Sequence, residues 1–148
     1  MHRTLKYSGS KWNIAKKLVE LIPPHHSYVE PYFGSGAVLF SKEPSHIETI
    51  NDLDSDVVNL FRCIREDPEQ LARIVMTTPY SREAYEGAFM TVPFMGIPSG
   101  DNRFRKACRF LTRMWQAYGS RNDGYKNGWK YDAIGRERMY SLWDWYAL

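Results

Sequence analysis

The sequence predicts an α/β fold, with parallel strands confined to the first ~65 residues and helices from about Pro68 onward. Three observations carry this reading. Tyr28 and Val29 run through Pro31 into Gly34 and Gly36, and then into the apolar run from Ala37 to Phe40, an order that reads strand, tight turn, helix start. A second strand-like stretch, residues 47–50, ends in Asn51 and Asp52, with Asp52 placed 18 positions after Gly34. Beyond it, apolar residues recur at helical spacing almost to the end.

Taken in order, Gly9 between Ser8 and Ser10 marks a turn, and Ser10 is placed to cap the next helix. Ile14, Ala15, Leu18, Val19 and Ile22 form one helical stripe, closed by Pro23 and Pro24. Lys11 then falls in the first helical turn, where a cation opposes the macrodipole, a placement that an anionic partner would explain. At residues 34–36 the two glycines admit positive φ and a close approach of ligand to backbone, with the amides of the following helix start facing the turn. An ordinary strand-to-helix turn is the competing reading. Asp52 stands where nucleotide-binding βαβ units hold a carboxylate for ribose hydroxyls. Asp54 and Asp56 also fit an acidic helix N-terminus; the expected division is Asp52 for the ligand and Asp54 or Ser55 as the cap.

A helix over about 55–66 follows, with Val57, Leu60, Phe61 and Ile64 on one face. Asp67-Pro68 opens another, with Leu71, Ile74 and Val75 inward, and Pro79 ends it. Ser81 is placed to cap a short helix reaching about Met90. Residues 91–100 read as an irregular loop, and Asp101 as the cap of the longest helix. Its apolar face holds Phe104, Ala107, Cys108, Leu111, Trp115 and Tyr118, and its other face Arg105, Lys106, Arg109 and Arg113. Residues 119–135 form a long polar loop rich in glycine, a length that is usually functional or disordered. A final helix is expected over about 136–146.

At 148 residues and 43% hydrophobic content the chain is one domain, or a core with one subdomain. No apolar run approaches the ~20 residues of a membrane span, and no signal-peptide pattern opens the chain, so a cytoplasmic protein without membrane contact is expected. Cys63 and Cys108 read as reduced core thiols, not as a disulfide or metal site. Charge is unevenly placed. Residues 1–100 carry 10 basic against 12 acidic side chains, whereas residues 101–148 carry 10 against 5 and half of the 22 aromatics. That composition suits a nucleic-acid surface, or else a solvated basic helix face beside an aromatic core.

Tyr7-Ser8-Gly9-Ser10-Lys11, Glu30-Pro31-Tyr32-Phe33-Gly34-Ser35-Gly36 and Asn51-Asp52-Leu53-Asp54-Ser55-Asp56 occur in that order. Together they resemble the Dam-like (α-group) DNA adenine N6-methyltransferases, whose corresponding elements are Y/W-x-G-G-K, E-P-F-x-G-x-G and A/N-D-x-N/D-x-D. The resemblance implies a partial Rossmann-like, S-adenosylmethionine-dependent methyltransferase core over 1–66 and a helical target-recognition subdomain over 67–148. It implies Tyr7 and Lys11 at the methionine end of the cofactor, with Lys11 paired to its carboxylate. Glu30, Pro31, Tyr32, Phe33, Gly34, Ser35 and Gly36 line the cofactor in the same reading, and Asp52 holds the ribose. Double-stranded DNA is the implied partner; the basic face of the longest helix and the loop after it are expected to meet it, with Arg109, Arg113, Arg121, Lys126 and Lys130 at phosphates and Asn122 either at an adenine edge or as a turn residue of the loop.

Two small departures stand out: Ser10 replaces the second glycine of the first element, and Tyr32 replaces a phenylalanine. The larger one is that the family's catalytic D-P-P-Y string does not occur, so no catalytic residue and no metal ligand is assigned. The chain is therefore expected to be a fragment or truncation that is inactive alone and completed by a C-terminal segment. A second copy of itself is another expected partner, because two strands without neighbours leave open edges. A non-catalytic DNA-binding or regulatory module on the same fold is the rival reading, and a methyltransferase acting on RNA or a small molecule is a third.

Overall fold

The computed structural model describes residues 5–90, 102–119 and 125–131. The expected loop over 91–100, the cap at Asp101, Arg121, Asn122 and the helix over 136–146 lie outside those residues. Among the described ones the architecture is a two-stranded parallel sheet followed by a group of helices. Strand β1 is Ser27–Glu30 and β2 is Ile47–Ile50, with Ser27 opposite Ile47 and Glu30 opposite Ile50. The pairing runs one step past the strands, because the Asn51 amide donates to the Glu30 carbonyl and the Phe33 amide to the Asn51 carbonyl, each at 3.0 Å. Those two bonds bring the glycine turn alongside Asp52.

Local signals account for most helix boundaries. Helix α2, Ser55–Glu66, is capped by Asp54, whose carboxylate accepts from the Asp56 amide. Helix α3, Pro68–Thr77, has Asp67 as cap and proline in its first turn, where the missing N–H costs nothing. Helix α4, Arg82–Gly87, is capped by the Ser81 hydroxyl, and α5 runs Asn102–Gln116. Beyond α5 an isolated antiparallel bridge joins Ala117 to Trp129, so residues 125–131 lie against the helix end.

Several expectations are corrected. Helix α1 is only Ala15–Glu20, with Ile14 at its start and no side-chain cap. Ser10 is not a cap, and Lys11 lies before the helix, its ammonium on the Gly9 carbonyl at 2.9 Å. The crossover from β1 to β2 holds a three-residue 3-10 turn, Leu39–Ser41, in place of an α-helix. With Gly36 at positive φ on one side and Pro44 on the other, the apolar run has room for a single turn. Tyr118, expected inward, is 76% exposed because α5 ends two residues before it.

One core joins both parts of the chain. Phe33, Val57, Leu60 and Cys63 from the first part pack with Leu71, Val75, Phe104, Phe110, Leu111 and Met114 from the second. Both cysteines are buried thiols outside any disulfide. Burial pushes the Cys108 thiol up, as expected of a packed core thiol. The sheet, by contrast, is thinly covered: every residue of β2 is exposed, as is Val29 on β1.

Candidate active site

The three motif stretches meet at one place. A cavity of about 770 Å³ opens where residues 7–11, the glycine turn and residues 52–55 face one another. Its size lies within the range of about 300–1,000 Å³ usual for small-molecule sites. Tyr7, Lys11, Glu30, Tyr32, Phe33, Gly34, Ser35 and Asp52 line it, whereas Pro31 and Gly36 do not.

Side chains fasten the stretches to one another. The Tyr7 ring lies against Gly34, so that a Cβ there would come within 3.2 Å of it. The Tyr7 hydroxyl donates to Asp54 Oδ2 at 3.2 Å. Ser10 and buried Ser35 share a hydroxyl–hydroxyl bond of 2.7 Å, which gives the serine found in place of glycine a partner 25 residues away. Asp52 accepts the Gly34 amide at Oδ2 (2.7 Å) and the Asp54 amide at Oδ1 (2.9 Å). A carboxylate has about four acceptor positions, so two amides leave Asp52 capacity for a ligand's hydroxyls.

The glycines divide their work. Gly34, at φ +51°, faces the cavity and gives its amide to Asp52. Gly36, at φ +66°, is buried away from the cavity. A Cβ on it would stand 2.5 Å from both the Phe33 and Phe40 rings. These rings pack edge-on to each other, and Phe33 also packs edge-on to Phe61 at 4.7 Å. At the cavity, Tyr32 is 79% exposed and Leu53, which the sequence did not single out, is 88% exposed. Both offer apolar surface to a planar group.

Half-buried Glu30 accepts from the Tyr28 hydroxyl at 3.3 Å. Burial raises the Glu30 carboxyl above the usual range, against the lowering effects of that bond and of Lys42. The Tyr28 hydroxyl is itself pushed up to about 12, first by burial and then by the charge of Glu30. Lys42, its side chain nearly buried, is paired with Glu48 and stands over the Tyr28 ring at 4.6 Å.

Residues 7–133 match the sequence profile of the D12 class N6 adenine-specific DNA methyltransferases. The chain belongs to this family. It is 33% identical over 79 residues to the type II methyltransferase M1.LlaDCHI of Lactococcus lactis subsp. cremoris, an alignment covering 53% of this chain and 27% of that protein. It is 27% identical over 136 residues to the retron Ec67 DNA adenine methylase of Escherichia coli, covering 91% of this chain and 45% of that protein. The chain thus spans less than half the length of these curated relatives.

In this D12-class chain the basic residues expected at DNA are variously placed. Arg109 donates to the Met90 carbonyl at 2.7 Å. Arg113 donates to the Ala88 carbonyl at 3.1 Å and forms an ion pair with Asp56, 57 residues away. Both guanidiniums therefore sit at carbonyls just past the end of α4, where the helix leaves acceptors unfilled. Lys126 is exposed and lies 3.5 Å from Glu86. The Lys130 amide closes the bridge to Gln116, and its carbonyl accepts from Tyr80. Among the described residues no helix is long and apolar enough to cross a membrane, and no cluster of side chains could hold a metal ion.

Proposed function

We propose that this chain carries the methyl-donor site and part of the duplex-facing surface of a DNA adenine-N6 methyltransferase, with S-adenosylmethionine as donor. The observation behind this reading is the convergence of three separated motif stretches on one cavity. The available groups suit that molecule. Lys11 offers a cation for its carboxylate, Glu30 and Asp52 offer acceptors for its ammonium and ribose hydroxyls, and Tyr32 and Leu53 offer surface for its adenine ring. When bound, S-adenosylmethionine supplies a methyl group made electrophilic by the adjacent sulfonium.

In the same reading β1, β2 and the short crossover are part of a Rossmann-like sheet, and the setting is cytoplasmic. Residues 1–66 serve chiefly the cofactor and residues 67–148 chiefly the target, although one core unites them. Duplex DNA meets the region after α5, through Arg121, Asn122, Lys126 and Lys130, with Arg109 at its margin. The acceptors for the adenine amino group belong to a D-P-P-Y element that residues 1–148 do not contain. This chain alone then binds donor weakly and does not turn over.

Calorimetric titration with S-adenosylmethionine tests the donor site. Binding that Lys11→Ala and Asp52→Asn weaken is expected, and no heat at millimolar donor refutes the reading. Methyl transfer from labelled donor to duplex DNA should be absent with the chain alone. Robust turnover would overturn the half-site reading.

A further inference from the structure

Arg113 has a different task from the phosphate contact suggested by its place on a basic helix face. Its side chain is three-quarters buried, with one guanidinium nitrogen on the Ala88 carbonyl and another on Asp56 Oδ2. Lys106 approaches the other Asp56 oxygen at 3.5 Å. From Asp56 a continuous series of bonds runs to the cavity. The Asp56 amide donates to Asp54 Oδ1 at 2.9 Å, and Asp54 Oδ2 receives the Tyr7 hydroxyl. The Asp54 amide donates to Asp52 Oδ1, and Asp52 Oδ2 receives the Gly34 amide.

Three carboxylates are thus stacked within five residues at the start of α2. Their mutual repulsion is offset by the helix N-terminus, by the amides they accept and by the two cations reaching across from α5. Remove the guanidinium, and Asp56, only a fifth exposed, is left with Lys106 at 3.5 Å on its other oxygen. The first turn of α2 then loses its closest tie to α5, and Asp54 and Asp52 are joined to that turn by the bonds above.

We propose that Arg113 is a positioning residue of the methyl-donor site, holding the Asp52–Asp54–Asp56 series in register from the helical part of the chain. The proposal deepens the donor-site reading above and rests on it for its effect on affinity, but not for its effect on the backbone. A second ion pair between the same two helices supplies the control. Arg103 meets Glu66 at 2.9 Å, far along α2 from the cavity and more exposed than the Arg113 pair.

The experiment compares Arg113→Gln, Asp56→Asn, their double variant, Arg113→Lys and Arg103→Gln in the full 148-residue chain. Two quantities are read: the dissociation constant for S-adenosylmethionine, and amide hydrogen exchange at Gly34 relative to core amides such as Leu111. Arg113→Gln should weaken the donor and speed Gly34 exchange about tenfold each, with Asp56→Asn alike and the double variant no worse than either. Arg113→Lys, which keeps the charge but not the fork, should fall between, and Arg103→Gln should leave both ratios unchanged. The salt slope of duplex binding should not move in Arg113→Gln.

Equal effects of Arg113→Gln and Arg103→Gln on Gly34 exchange would overturn the proposal, as would additive effects in the double variant. Should Arg113→Gln fail to fold, Asp56→Asn and Arg113→Lys decide by the same exchange ratio. If the unaltered chain binds no donor, the functional reading falls, while the exchange ratio still decides on Arg113.

Discussion

Replacing Gly36 with alanine tests whether that glycine serves packing. Its φ of +66° costs an L-residue about 1–2 kcal/mol. The added methyl would also stand 2.5 Å from Phe33 Cζ and Phe40 Cε2, where real Cβ atoms are not found. Phe33 is buried and held edge-on by Phe61, so its ring cannot simply swing aside, and overpacking of this kind costs about 1–3 kcal/mol. The unfolded chain, stiffened by alanine, returns about 0.4–1 kcal/mol. A net loss of roughly 1–5 kcal/mol follows, or a fall in Tm of roughly 2–20 °C. Gly9→Ala is the matched control, because Gly9 has φ +74° with nothing within 4 Å of the added atom. It should cost about 1 kcal/mol or less. Gly34→Ala, with the Tyr7 ring at 3.2 Å, should fall between and should also disturb donor binding. Urea unfolding of the three variants gives the order directly. Gly36→Ala within about 0.5 kcal/mol of Gly9→Ala would refute the steric account.

Asp54→Ala removes both the α2 cap and the Tyr7 acceptor and should cost about 1–2 kcal/mol by urea unfolding, whereas Tyr7→Phe keeps the ring on Gly34 and should cost less than about 1 kcal/mol. Tyr28 is raised from 10.0 to about 12 in the folded chain, so its contribution to stability is complete below pH 10 and is lost as pH rises toward 12, the unfolded chain ionising first. Alkaline unfolding curves should therefore flatten in Tyr28→Phe, and an unchanged slope would contradict that burial. Charge reversal at Arg121 and Lys126 should weaken duplex binding and flatten its dependence on log salt by about 0.9 for each phosphate no longer neutralised. A slope equal to the parent's would remove these residues from the DNA surface. With Val29 and the whole of β2 exposed, light scattering should show mass rising with concentration, and a monodisperse monomer would argue against pairing at the sheet edge.

What could be read in advance was local. Asp54, Asp67 with Pro68, and Ser81 announce helix starts because a cap acts on amides two or three residues on, close enough in sequence to be recognised from neighbours alone. The stripe of Val57, Leu60 and Ile64 faces the core for the same reason. The errors came where a distant partner overruled a local preference. Ser10 resembles a helix cap, but its hydroxyl is taken by Ser35. Arg113 resembles a solvent-facing cation until α2 brings Asp56 beside it. Gly34 and Gly36 are the same letter two positions apart, yet a tyrosine ring stands over one and two phenylalanine rings crowd the other. The motif order led to the cavity, but only the fold could separate the glycine that faces it from the glycine that makes room behind it.

The single core has a consequence for how such chains can be inherited. Helix α2 presents Leu60 and Cys63 to α3 and α5, so a cut between Glu66 and Asp67 would strip apolar surface from both pieces. Recombination that traded residues 67–148 between two relatives would leave α2 facing strangers, and at its first turn Asp56 would meet whatever replaced Arg113. On the proposed reading, in which the region after α5 meets the duplex, new target preferences are more readily gained by point changes there than by exchange of the helical part. A successful graft would have to bring α2, with its three aspartates, along with the helices it packs against.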